Sequence, residues 1–143
     1  MAAEDELEIR NLVARYCDAV TRHDAAVWAA TWAPDCRWEL GGGRVTQGRE
    51  ATLELWRTAT AKYPWVAQLA PTGIVAVTGD TATGRWWVLE LNRLLDGTGA
   101  LHLGHYADEY RRTAEGWLFA VRRFSIVYRG ALDPGMVIPL PER

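Results

Sequence analysis

Apolar residues recur at helical spacing through the first part of the chain. Ile9, Leu12, Val13, Tyr16 and Val20 fall three or four apart with Glu8, Arg10, Arg15 and Arg22 between them. This pattern predicts an amphipathic helix over residues 4–22 with Tyr16 facing inward. Asp24 reads as the N-cap of a second, short helix, AAVWAATW, which ends before Pro34 and carries Trp28 and Trp32 on its inner face. His23, beside the cap, is expected to be a solvated loop residue. CRWEL, GGG and RVTQG predict a short hairpin with a glycine turn. REATLELWRTATAKY then predicts a third helix, with Leu53, Trp56 and Tyr63 at helical spacing and Pro64 ending it.

Beyond Pro64 the period changes from helical to two. VAQLAPTGIVAV, GRWWVLELNRLL, ALHLGHYADEYRR and GWLFAVRRFSIVY are separated by turns at GD, DGTG and TAEG, which predicts an antiparallel meander of four strands. The tail DPGMVIPLPER reads as a proline-broken extension. Helices followed by a meander predict an α+β fold in which the helices cover one face of a curved antiparallel sheet. A chain of 143 residues can bury a core without a metal or disulfide staple, and it is read as one domain over residues 1–143.

Composition narrows the functional classes. Sixteen basic residues against eighteen acidic ones give no positive field for a polyanion, so nucleic acid is not an expected partner. No apolar run is long enough to span a bilayer, and the start MAAEDELEIR is acidic where a signal peptide would be basic and then apolar. Neither a membrane association nor export is expected, and the location is read as cytoplasmic. Cys17 and Cys36 fall in different elements and make no metal spacing. The sequence contains no GxSxG, HExxH, phosphate loop or dinucleotide fingerprint, so neither a metal nor a cofactor is expected. Eight tryptophans is a high number for this length; they pack a core or line a cavity for a flat apolar ligand.

Three stretches carry a family resemblance: RYCDAVTRHDAAVWAATWAPDCRW, GHYADEYRRTAEGW and AVRRFSIVY. They resemble the SnoaL-like, scytalone dehydratase-like branch of the nuclear transport factor 2-like superfamily, over nearly the whole chain. The resemblance implies a cone-shaped half-barrel around one apolar pocket. It also implies relatedness to scytalone dehydratase, hexachlorocyclohexane dehydrochlorinase and a bile-acid dehydratase, which are cofactor-free lyases of cyclic apolar substrates. The fold also hosts isomerases, cyclases, epoxide hydrolases and binding proteins. Carried over by position, the substrate-touching polar group of the first helix falls on Tyr16 and the strand arginine on Arg122. The aspartate and histidine that form the family's catalytic pair fall on Thr21 and Gln68, neither of which can act as the base.

With Arg122 inward by resemblance, strand alternation sends Phe124, Ile126 and Tyr128 inward too. His102, Gly104, Tyr106 and Asp108 share that face, as do Trp86, Val88, Glu90 and Asn92, and Gln68 joins from the first long strand. Glu90 and His102 then become diagonal neighbours across a hairpin, in a cavity of aromatic and aliphatic walls. A proton shared between a buried carboxylate and imidazole leaves a base usable near neutral pH. Tyr16 is expected to hydrogen-bond a developing oxyanion and Arg122 to orient an acidic or carbonyl group. Asp108 is a further catalytic candidate, able to accept from Tyr16 or Arg122. Trp32, Trp38, Gln68, Trp86, Val88, Tyr106, Phe124 and Ile126 are the expected substrate-binding walls, with Trp87 and Trp117 structural. The alternative for Glu90 is a structural ion pair with Arg122, and for His102 a core or rim position.

The opposite face carries Trp87, Leu89, Leu91, Leu101, Leu103 and His105, which is too apolar to leave in water and predicts a homo-oligomer, dimer or trimer, packed through it. A β-bulge would exchange inner and outer residues partway along a strand. The functional expectation is a cofactor-independent lyase, isomerase or cyclase, acting by general acid–base chemistry on a small cyclic hydrophobic ligand of polyketide, steroid or terpenoid type. Two alternatives stand beside it: a binding or accessory protein lacking the family pair, and a shape-selective cyclase without a dedicated base.

Overall fold

The computed structural model describes residues 2–133 together with residues 135, 137, 138, 140 and 141. Of the expected tail extension, Pro134, Met136, Pro139, Glu142 and Arg143 lie outside the described residues. Helix α1 (Ala2–Arg22) is followed by α2 (Ala25–Ala30), β1 (Trp32–Glu39), β2 (Val45–Gln47) and α3 (Arg49–Thr60). Four long strands complete the order: β3 (Trp65–Thr78), β4 (Thr81–Arg93), β5 (Gly99–Thr113) and β6 (Gly116–Leu132).

Each helix forms where the sequence supplies a face and an end. On α1 the inward stripe Ile9, Leu12, Val13, Tyr16 and Val20 is buried. Asp5 ties its first turn down by accepting from the Trp117 indole at 3.1 Å and pairing with Arg112 at 2.8 Å. Asp24 caps α2 through its carboxylate, which accepts from the backbone N–H of Val27 at 3.0 Å. Such a cap is worth about 1 kcal/mol. His23 is exposed but not merely solvated: it sits at φ 54°, and its Nε2 lies 2.9 Å from the Tyr63 carbonyl, joining the α1–α2 corner to the end of α3.

The sheet corrects the antiparallel expectation in one respect. Its six strands run in the order β2-β1-β6-β5-β4-β3, and β1 pairs with β6 in parallel, so the curved sheet is mixed. Trp32 also leaves the helix assigned to it and begins β1, where the Phe119 N–H donates to the Thr31 carbonyl at 2.9 Å. The other strands pair antiparallel in the expected sequence.

Most tryptophans pack the core between the helices and the β1–β6 end. Trp28 stacks on Trp56 with centroids 4.7 Å apart, and Trp28, Trp32 and Trp38 are in mutual ring contact at 5.4–5.9 Å. Burying rings of this size removes a large apolar area from water and anchors the helical layer on the sheet.

Candidate active site

The inward face of β4 and β5 divides along its length. At one end buried side chains occupy it; at the other a cavity of about 170 Å³ remains, between the sheet, α1 and α3. Its walls include Tyr16, Trp38, Trp56, Val88, Tyr106, Phe124 and Ile126, and its polar groups include Gln68, Glu90 and His102. Gly104 makes part of the floor: a Cβ there would meet the Phe124 ring at 2.2 Å, so the ring approaches this closely only because the residue is glycine.

A polar row crosses the cavity. Gln68 on β3 is opposite Glu90 on β4, Glu90 is opposite His102 on β5, and His102 is opposite Arg129 on β6. Glu90 and His102 are thus direct cross-strand partners and not the diagonal neighbours expected. Nδ1 of His102 lies 3.8 Å from Oε1 of Glu90, and both side chains are largely shielded from solvent. Two amides orient the carboxylate: Gln68 Nε2 donates to Oε2 at 3.1 Å and Asn92 Nδ2 donates to Oε1 at 3.3 Å. Since a carboxylate only accepts, these bonds also fix which way each amide points. Burial pushes the His102 imidazole below its ordinary value; the Glu90 charge opposes this and the Arg129 charge reinforces it.

Tyr16 and Tyr106 place phenols on the cavity wall. Burial raises the Tyr16 hydroxyl, with the Arg122 charge opposing, and raises that of Tyr106 well above the ordinary phenol range. Both stay protonated across the physiological range; the Tyr106 hydroxyl donates to that of Tyr16, whose own proton is left to donate.

Four expected site residues lie away from this cavity. Arg122 points inward but is completely buried, gripped by Asp108 through Nε–Oδ1 at 2.9 Å and Nη2–Oδ2 at 3.2 Å. Its guanidinium lies over the rings of Tyr106, Tyr16 and Phe119 at 3.6, 4.3 and 4.3 Å. It lies behind the cavity wall, with Nη1 buried and without a hydrogen-bond partner among the described residues. Nor does it pair with Glu90, as the structural alternative for that residue had it. Asp108 accepts from the Tyr110 hydroxyl at 2.7 Å, which accepts in turn from the Trp86 indole at 2.8 Å. Burial opposes charge on both members of the pair, but the two-pronged geometry and the Tyr110 bond favour an ionised one, and Asp108 raises the Arg122 guanidinium above its ordinary value. Trp86 therefore belongs to this buried network and Trp32 to the core; neither lines the cavity. Facing inward and bordering the cavity are different properties, because α1 and the aromatic rings fill one end of the face.

Tyr128 is also corrected. On β6 the register steps from Ile126 opposite Gly104 to Tyr128 opposite Leu103, leaving Val127 as an extra residue. This bulge reverses the alternation, turning Tyr128 to solvent and Arg129 to the cavity. Arg129 and Arg44, from the β1–β2 turn, are cavity residues that strand periodicity did not reveal. Trp56 and Tyr63 were legible as an inward stripe on α3 but not as cavity walls.

Comparison with known proteins places this architecture. A model of the SnoaL-like domain matches residues 1–123. The chain belongs to the SnoaL-like domain family. Within the nuclear transport factor 2-like fold, it is similar to a type 2 hexachlorocyclohexane dehydrochlorinase, at 22% identity over 96% of this chain and 98% of that one, with a TM-score of 0.85. A scytalone dehydratase-like protein from Novosphingobium aromaticivorans superimposes over 99% of both chains at 16% identity, with a TM-score of 0.82. A Mycobacterium tuberculosis protein of unknown function is 28% identical over 85% of this chain and 70% of that one, with a TM-score of 0.76. No curated protein sequence matches the chain. The SnoaL-like fold is thus shared with dehydrochlorinases and dehydratases. Thr21 and Gln68, the positions that the resemblance sets against the family's catalytic pair, meet: Thr21 Oγ1 accepts the backbone N–H of Gln68 at 3.0 Å, a structural tie between α1 and β3.

Proposed function

We propose that this SnoaL-like protein is a cofactor-independent enzyme that removes a proton beside a carbonyl of a compact cyclic substrate, as a lyase or as an isomerase or cyclase. The observation that carries this reading is the Glu90–His102 pair within the cavity, with both Glu90 oxygens held by amide donors.

His102 is the base. Its Nδ1 faces Glu90, so Nε2 is left for the substrate, and its lowered pKa keeps the ring neutral near pH 7. Glu90 orients the imidazole and stabilises the cation formed when it takes the proton, as a carboxylate does behind any histidine base. Apo distances between such partners commonly shorten when substrate binds. The enolate oxygen develops against the protonated phenol of Tyr16, which the Tyr106 hydroxyl supports from behind. From there the electron pair expels a leaving group, with the dehydrochlorinase and dehydratase neighbours as analogies, or returns to a proton at another carbon.

Cavity size limits what enters. An engineered apolar cavity of about 150 Å³ accommodates benzene, so about 170 Å³ suits one ring or a compact fused pair. A four-ring steroid would leave most of its body outside, which favours polyketide-like phenols, cyclic ketones and small terpenoids.

One observation favours a binding protein without turnover: Thr21 and Gln68, at the family's catalytic positions, are tied to one another. Incubation with pooled cyclic ketones and hydroxyketones in heavy water separates the readings. Base chemistry gives deuterium uptake or elimination that His102→Ala abolishes. A binding protein retains compounds unchanged. A shape-selective cyclase loses little at Glu90 and much at Trp38.

A further inference from the structure

Three charged side chains border the cavity: Glu90, Arg44 and Arg129. Glu90 has both oxygens on amide donors and leans on His102. Arg44 and Arg129 are exposed at the mouth, and among the described residues neither has a carboxylate within salt-bridge distance. The chain as a whole carries a net charge of −2, so a positive mouth runs against the global balance.

Both arginines are brought there by special backbone. The Val127 bulge turns Arg129 inward from a position that regular alternation would face outward. Arg44 closes the glycine turn of the β1–β2 hairpin: its carbonyl accepts from Leu40 N–H at 2.9 Å, and its Nη2 donates to the Leu40 carbonyl at 3.4 Å, which leaves its other guanidinium donors for a ligand. Arg122 does not border the cavity, so these two are the guanidiniums on its lining among the described residues.

We infer that the ligand carries an anionic oxygen group, a carboxylate or an ionised phenol or enol, bound between Arg129 and Arg44 at the mouth while its ring occupies the cavity. This rests on the reading of the cavity as a substrate site and adds the substrate's charge. Guanidinium groups recognise such oxygens by charge-assisted, two-pronged hydrogen bonds. The assignment also leaves His102 between the anchored anion and the Glu90 end of the row, where a carbon next to the acid-bearing ring position would come to it.

The test is a pair of probes of one shape and different charge, benzoate and its neutral isostere nitrobenzene, titrated into the full chain at low ionic strength and followed by backbone amide NMR shifts. Benzoate is expected to bind about tenfold more tightly, the scale of one hydrogen bond to a charged group. The preference is expected to vanish in the Arg44→Gln/Arg129→Gln double variant, to survive largely in Arg129→Lys, and to weaken as salt is raised. Equal binding of the two probes, no saturable benzoate binding, or a preference that persists in the double variant would each overturn the inference. The readout needs no turnover. If the base assignment fails because His102→Ala leaves isotope exchange intact, the benzoate preference is still expected in that variant.

Discussion

Arg122 and Asp108 form a fully buried, two-pronged ion pair beneath the Tyr16 and Tyr106 rings. The pair lies behind the cavity wall and does not border the cavity. Removing one member leaves the other charged and uncompensated in an apolar interior, which costs about 3–5 kcal/mol. Asp108→Asn and Arg122→Met are each expected to lower the urea midpoint by a corresponding amount, with ligand affinity falling only as far as the fold does. A loss of activity with unchanged stability would show Arg122 in contact with substrate after all.

The pH dependence follows from His102. Its folded pKa is lowered, chiefly by burial, so the native state favours the neutral ring. Its contribution to stability is present above the unfolded value of about 6.5 and is lost as pH falls through the folded value. Activity has the same sign: kcat/KM is expected to rise with pH along an acid limb below 6.5 and to level off by neutrality. Because Arg129 also lowers this pKa, Arg129→Gln is expected to shift the acid limb upward. A limb that does not move on that substitution would contradict the coupling.

Gly104 sets the depth of the cavity. Gly104→Ala is expected to push the Phe124 ring into the space above it. Affinity for one-ring ligands should fall severalfold or more, while the melting temperature changes little if the ring swings freely. Titration of a ring ligand into both proteins checks this.

The outer sheet face presents Trp87, which is half exposed and in ring contact with His105 at 5.3 Å, among the part-buried Leu89, Leu91, Leu101 and Leu103. We expect this face to be covered by another copy of the chain. Sedimentation velocity should show an oligomer that Trp87→Arg dissociates, and a monomeric wild type would refute the expectation.

The helices and the meander were legible because their periods differ sharply, and Asp24 and Pro64 mark ends that sequence chemistry can specify. The parallel pairing of β1 with β6 was not legible, since it joins residues over 80 positions apart and depends on how Trp32 leaves α2. Inward direction on β4 and β5 was read correctly from alternation. Whether an inward residue meets a cavity or a neighbouring ring was not, because that depends on where α1 crosses the sheet; hence Trp86, Asp108 and Arg122 face inward without bordering the cavity. Arg129 was hidden by a single inserted residue, Val127, which leaves no compositional mark.

The central claim is that the Glu90–His102 pair is a base. The most direct measurement is deuterium incorporation from heavy water into cyclic ketones and hydroxyketones, by mass spectrometry, with the wild type, His102→Ala and Glu90→Gln side by side. The account predicts incorporation or elimination by the wild type, abolished by His102→Ala and reduced roughly 10²–10⁴-fold by loss of the oriented pair. Turnover that survives both substitutions, or retention of the compounds without exchange, would contradict it.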